Sequence, residues 1–309
     1  MGNNDIRKLK HHGRETYAVY YGDDFVLKRP LPNMSDVECA KWLQKQHNTK
    51  EAIDAIRAVG NPVYNVPEMR FIRDDEYQIL EERAPGVPLT SDLYRILTRR
   101  QKYEIINSIG SFLVDMNELK PIGSPVLHKI SDELKFERLE RFVNNKMSKW
   151  FNKNDVRQMI RVCDNINSFE YTTRMAWSHC DLNSGNVYYD AKSSRLSFID
   201  FAESNYHFIY RDIFAPLQIE LGICRPVYDT YTKLHNKTLY SMPSIKNDML
   251  HEIMKNRIIV VYLKRFIKAA DDLRMNPKHE KSVNNNVAKI EFMRTQIAAI
   301  QNIEKQFSK

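Results

Sequence analysis

Residues 176–201 read AWSHCDLNSGNVYYDAKSSRLSFIDF. They put His179, Asp181 and Asn186 on one short loop, with Asp200 fourteen residues beyond Asn186. Phosphoryl transfer from a nucleotide needs such a set. One carboxylate orients the attacking hydroxyl, while a second carboxylate and an amide hold a divalent metal on the phosphates. Val187 to Tyr189 and Leu196 to Ile199 read as two short strands, and the polar run Asp190-Ala191-Lys192-Ser193-Ser194 between them reads as a turn. A hairpin folded this way returns Asp200 to the end that carries Asn186. Any one of these residues alone would be an ordinary turn residue; the combination carries the reading.

The order H-x-D-x-x-x-x-N, hairpin, I-D-F is that of a kinase catalytic loop followed by its metal-binding aspartate. In detail, HCDLNSGNV…FIDF resembles the aminoglycoside phosphotransferase and choline kinase family, whose usual form is H-G-D-x-x-x-x-N and I-D-F/W. The resemblance implies a bilobal, protein-kinase-like α+β fold. Its N-lobe would be a five-stranded antiparallel sheet with one helix, its C-lobe mostly helical, with ATP in the cleft. It also implies roles. Asp181 accepts or orients the hydroxyl proton, Asn186 acts beside it, and Asn186 and Asp200 hold Mg²⁺. His179 braces the loop, as does Asp212 in YRDIFAP; the plain alternative for Asp212 is an acid favoured by a helix dipole. Cys180 stands where the family usually has Gly, and a tolerated small side chain is favoured over a nucleophile.

Upstream elements must bring a cation to the phosphates. Residues 5–30 read as a strand, a turn and two more strands, with Gly22-Asp23-Asp24 as a hairpin turn. Lys28 ends the last strand, where a kinase places its phosphate-contacting lysine; the family often has V-L-K or L-K-R there, and this chain has VLKR. Only Gly13 lies between the first two strands, so no G-x-G-x-x-G loop exists and Arg14, Glu15 and Thr16 form the expected tip. Ser35 to His47 reads as a helix with Ser35 as N-cap and Val37, Ala40 and Leu43 on one face. Glu38 is expected to pair with Lys28, with a capping box as its competing role. Val63 to Ile72 and Tyr77 to Glu82 read as strands about an Arg73-Asp74-Asp75 turn. The second runs into EERAPGVPL, which resembles the family's hinge; the backbone of Glu81, Glu82, Arg83 and Ala84 is then expected to bind the adenine edge.

Leu93 to Leu97 and Lys102 to Leu119 are helical, the latter with Ile105, Ile109, Phe112, Leu113 and Met116 as a core stripe. About 55 residues, Lys120 to Arg174, follow before the catalytic loop, with helical patterns over Ser131–Phe151 and Asp155–Ile166. A protein kinase has a short connection here. It also has a longer segment after its metal aspartate, whereas eleven residues separate Asp200 from Asp212 and no A-P-E motif follows. Small-molecule kinases of the resembled family carry such an insert, and it helps build the acceptor pocket. Two long helices lie beyond residue 245. Val287, Ile290, Met293, Ile297, Ile300, Ile303 and Phe307 stripe the last one, a candidate dimer surface for which packing back onto the C-lobe is the commoner fate; Asn284-Asn285-Asn286 reads as a short loop. The expected division is an N-lobe over residues 1–82 and a C-lobe over 83–309, the latter holding the hinge, the insert 120–176, the catalytic loop and metal site 177–212, and the C-terminal helices.

Composition limits the classes. With 309 residues, 42% hydrophobic and 28% charged, the chain is long and apolar enough for one large domain or two lobes with real cores. No apolar run reaches 18 residues, and MGNNDIRKLK has no signal-peptide core. Cys39, Cys163, Cys180 and Cys224 are scattered without CxxC spacing, which points away from zinc and disulfide frameworks and toward a reducing cytoplasm. From Arg225 onward Lys and Arg outnumber Asp and Glu sixteen to eight, which equals the whole net charge of +8. These charges are dispersed among apolar residues, so neither nucleic acid nor membrane is expected as a partner. The expected function is ATP-dependent transfer of a phosphoryl group to a hydroxyl of a small molecule such as an aminoglycoside, choline or a sugar. The alternatives are a protein Ser/Thr kinase, which the insert and the short segment after Asp200 disfavour, and a non-catalytic nucleotide-binding module, which the intact Asp181, Asn186 and Asp200 disfavour. The insert carries at least as many Lys and Arg as acids, so it is not a trap for polycations, and the acceptor stays open.

Overall fold

A computed structural model describes residues 17–21, 24–31, 33–73, 78–235, 247–273 and 280–307. The chain divides into two compact units, one from Met1–Gly123 with Met175–Met242, the other from Ser124–Arg174 with Pro243–Lys309. The secondary structure is α+β, with antiparallel strands early in the chain and mostly helices after them.

In the first unit, Tyr17–Tyr21, Phe25–Pro30, Gln78–Glu82 and Met69–Arg73 form a four-stranded sheet in that order, antiparallel throughout. The strand expected ahead of Tyr17, the Gly13 to Thr16 tip and the turn residues at 22–23 and 74–75 lie outside the described residues. The stretch expected as one strand from Val63 to Ile72 divides in two. Tyr64–Asn65 pairs parallel with Arg195–Phe198 in a different sheet, and Met69–Arg73 stays in the first. Pro67 lies between them, and proline has no N–H to give a ladder.

The helix after the lysine strand runs over Asp36–Val59, three turns beyond the expected end at His47. Its start is as expected: Ser35 caps the N–H of Glu38, and the Glu38 carboxylate takes the Ser35 N–H at 2.8 Å. Asn48 and Thr49 look like a stop in sequence, but the Thr49 hydroxyl bonds back to the Lys45 carbonyl and its side chain is buried. The helix continues until Gly60 closes it with a left-handed φ of 68°. Its buried face is Trp42, Gln46, Thr49, Ile53 and Ile56. The expected face of Val37 and Ala40 is exposed, because the buried stripe of this helix begins only at Trp42.

The helix Arg99–Glu118 carries the expected stripe, and Ile105, Ile109, Phe112, Leu113 and Met116 are all buried. Phe112 stacks face to face on Phe198 of the hairpin formed by Val187–Asp190 and Arg195–Phe198, centroids 3.8 Å apart, and Tyr64 stands edge-on to both rings. Stacked and edge-on aromatic pairs contribute beyond their buried area, so this cluster ties the hairpin to the core helix Arg99–Glu118.

In the second unit, Pro125–Lys129 pairs antiparallel with the first half of the strand Glu170–Ser178, a pairing that helical periodicity did not reveal. The helical pattern at 131–151 resolves into a 3₁₀ turn at Ile130–Glu133, a helix at Phe136–Asn145 and a second 3₁₀ turn at Met147–Lys149; Lys153–Ser168 follows as a helix. Asn247–Asp271 and Glu280–Phe307 are the two long helices. The three asparagines expected as a loop lie inside the latter, and Asn286 is buried. Met293, Ile297 and Ile300, the centre of the candidate dimer stripe, are buried within the unit.

Candidate active site

The loop that carries His179, Asp181 and Asn186 is held from below by one buried acid. The Asp212 carboxylate accepts the backbone N–H of His179 at 2.6 Å and that of Cys180 at 3.0 Å, while Arg211 donates to the Cys180 carbonyl at 3.1 Å. Burial pushes the Asp212 pKa up, against the pull of His179 and Arg211. The His179 ring is fixed at both nitrogens: Nδ1 accepts the Asp181 N–H and Nε2 donates to the Ile199 carbonyl at 3.0 Å. It is buried and packs against Phe201 and Phe112, so it faces the core and braces the loop. Replacing Asp212 with Ala strips the acceptor from one buried and one part-buried N–H group and should cost about 2–4 kcal/mol. Urea unfolding measures this, and a variant within 0.5 kcal/mol of wild type would show that the brace is dispensable.

Cys180 has a φ of 68°, a conformation in which glycine is unstrained and a side chain is not. This is a local reason for Gly at that position of the loop. Burial, with the Asp212 charge adding to it, pushes the Cys180 thiol up to about 12. That direction disfavours the thiolate, which is the nucleophilic form.

Asp181 projects from this braced loop. Its Oδ1 accepts the Asn183 amide at 3.1 Å and its Oδ2 the Asn186 amide at 2.9 Å. Asn186 also donates to the Asp181 carbonyl, and its own carbonyl accepts the Ile199 N–H. The strands Val187–Asp190 and Arg195–Phe198 pair with Val187 opposite Phe198. Register thus sets Asn186 across from Ile199, with Asp200 next in line. Asp200 has φ 62° and ψ 63°, a left-handed backbone rare for a non-glycine residue and frequent at functional sites. Among the described residues its carboxylate makes no hydrogen bond or ion pair. The Asn186 nitrogen is spent on Asp181, which leaves its oxygen. One carboxylate and one amide oxygen, completed by waters and phosphate, suit Mg²⁺.

On the sheet, Lys28 Nζ lies 2.5 Å from Glu81 Oε2, both side chains largely buried. Glu38, the expected partner, is exposed and held by Ser35. In the hinge, the N–H of Glu82 bonds Glu68 O and that of Arg83 bonds Asp24 O, so those two donors are occupied; the Ala84 N–H is not among the bonded groups of the described residues. In sequence, Pro85-Gly86 is only a turn signal. A Cβ on Gly86 would meet Tyr189 O at 2.1 Å, so only glycine lets this segment pass the strand Val187–Asp190. A cavity of about 620 Å³ is lined by Phe25, Leu80, Arg70 and the hinge residues Glu82 to Gly86. Its strand residues alternate with Lys28 and Glu81, and so belong to the opposite face of the sheet.

A model of the phosphotransferase enzyme family matches residues 5–223. The chain belongs to this phosphotransferase family. Solved structures agree on the fold at low identity. A complex of the aminoglycoside enzyme APH(2'')-IIIa with GDP and kanamycin has a TM-score of 0.65 at 12% identity, over 97% of this chain and 95% of that one. A choline/ethanolamine kinase family protein from Mesorhizobium loti has 0.54 at 11%, over 96% and 92%. An amicoumacin kinase in complex with AMP-PNP, Ca²⁺ and Ami has 0.52 at 12%, over 96% and 89%. No curated protein sequence matches. Within the family pattern, the phosphotransferase loop here departs at Cys180, and its strand lysine is paired with an acid of the neighbouring strand.

Proposed function

We propose that this phosphotransferase moves the γ-phosphoryl group of ATP onto a hydroxyl of a small molecule. The observation that carries the reading is Asp181, oriented by two amides and mounted on a loop that Asp212 and His179 hold rigid. A carboxylate so held can accept the hydroxyl proton and aim the oxygen at phosphorus, and positioning is most of what this reaction asks of a protein. Asn186 and Asp200 would hold Mg²⁺, which when bound offsets charge on the phosphates. Lys28 meets the phosphates from the sheet, and the Ala84 N–H faces the base at the hinge. Related structures were solved with ADP and with GDP, so either purine nucleotide belongs in the assay. The four cysteines are free, in keeping with work in a reducing cytoplasm. Among the described residues no helix is long and apolar enough to cross a membrane.

The test supplies γ-labelled ATP, and GTP in parallel, with aminoglycosides, choline, sugars, amino alcohols and nucleosides, then separates metabolites from polypeptide. Label on a small hydroxyl compound is expected. Label on polypeptide alone would move the acceptor to protein. Nucleotide binding with no turnover for any acceptor class would favour a binding module.

A further inference from the structure

The helix Asp36–Val59 has four acids, and three of them are engaged away from Lys28. Glu38 closes the capping box on Ser35, Glu51 lies 3.4 Å from Lys120, and Asp54 pairs with Lys50 at 2.6 Å. Asp36 is exposed in the first turn. The buried face of the helix presents Trp42, Gln46 and Thr49, none of them charged. Lys28 is nonetheless largely buried, its side chain 14% exposed, and a buried charge calls for a partner of opposite sign. The sheet supplies one. Lys28 faces Ile79 across the ladder, so Glu81, two residues on, lies on the same face and diagonal to it. The Glu81 side chain is 6% exposed and also stands opposite Met69 on the strand Met69–Arg73, which closes its other side.

We infer that Glu81 is the positioning residue for Lys28, and that the register of the sheet, rather than the placement of the helix, aims the phosphate-binding lysine. The inference rests on the proposed phosphotransferase reading. It has a mechanistic consequence. A lysine held from a helix is released when the helix shifts, whereas a diagonal pair inside one sheet is set as soon as the strands pair. Lys28 is then aimed before nucleotide arrives. The same carboxylate sits on the strand that runs into the hinge, so one strand bears on both ends of the nucleotide, the base through Ala84 and the phosphates through Lys28.

The test compares Glu81→Gln, Glu38→Gln, Lys28→Met and the double variant Lys28→Met with Glu81→Gln, in the full chain, with thermal melts alongside. Glu38→Gln keeps the capping box, since Gln serves there as Glu does. Glu81→Gln should raise KM for the nucleotide about tenfold with a smaller change in kcat, while Glu38→Gln stays within about twofold of wild type. Adding Glu81→Gln to Lys28→Met should change KM little, because the two residues act through one contact. Glu81→Asp keeps the charge on a shorter arm and should fall between wild type and Gln; it also serves if Glu81→Gln does not fold. Loss of function from Glu38→Gln with none from Glu81→Gln would overturn the inference, as would independent, multiplicative effects in the double variant. The underlying reading fails separately, by absence of ATP and GTP binding or turnover in the wild-type protein.

Discussion

Asp181→Asn should lower kcat by ~10²–10⁴-fold, the usual cost of removing a general base, while nucleotide affinity and melting temperature stay close to wild type. The substitution is isosteric. The Asn183 and Asn186 amides that now point at the carboxylate retain one carbonyl oxygen to donate to, and Asp212 continues to hold the loop from below. What is lost is the negative charge that draws the hydroxyl proton. Stopped assays at saturating nucleotide and acceptor, with calorimetric titration of the nucleotide, separate the two quantities. Wild-type turnover in this variant would remove Asp181 from the mechanism. A parallel loss of nucleotide affinity would show that it holds the phosphates instead.

Glu133→Gln should destabilise the second unit by about 3–5 kcal/mol, because it leaves a buried cation without its partner. Glu133 is almost wholly buried, in contact with Arg257, hydrogen-bonded to His128 at 3.1 Å and 3.7 Å from Lys264. Burial alone would raise its pKa. The Arg257 charge, the His128 bond and Lys264 outweigh burial and hold the carboxyl well below its ordinary value of 4.5. A depressed acid stabilises the fold above the unfolded value and loses that contribution as pH falls toward the folded one. Wild-type stability should therefore fall off below about pH 4.5 in part through this group, and that part of the slope should vanish in Glu133→Gln. Denaturant melts from pH 3 to 7 on both proteins measure it. A variant of equal stability at neutral pH would show that the cluster contributes nothing net. Replacing Glu133, Arg257 and His128 together with apolar residues tests the same point from the other side, since a buried ion pair exchanged whole for apolar packing is often neutral.

The amino-acid sequence by itself determined the chemistry-bearing loop. His179, Asp181, Asn186 and Asp200 lie within 22 residues joined by a hairpin, and the short-range ladder and loop hydrogen bonds set their relations, so spacing alone predicts that they come together. The core stripe of Arg99–Glu118 was legible for the same reason, as was the capping box at Ser35. Partners were not legible where the choice lay between groups far apart in the chain. Which acid serves Lys28 depends on which strand lies beside Phe25–Pro30 and in what register, and a shift of one residue would turn Glu81 to the other face. Glu133 meets Arg257 across more than a hundred residues, a contact that no local pattern encodes. The stripe on the last helix announced only that an apolar face would be covered; tertiary packing decided that its centre is buried within its own unit. Local geometry follows from neighbouring residues, whereas the pairing of buried charges and apolar faces follows from which distant segments exclude water together, and that is settled only when the whole unit closes.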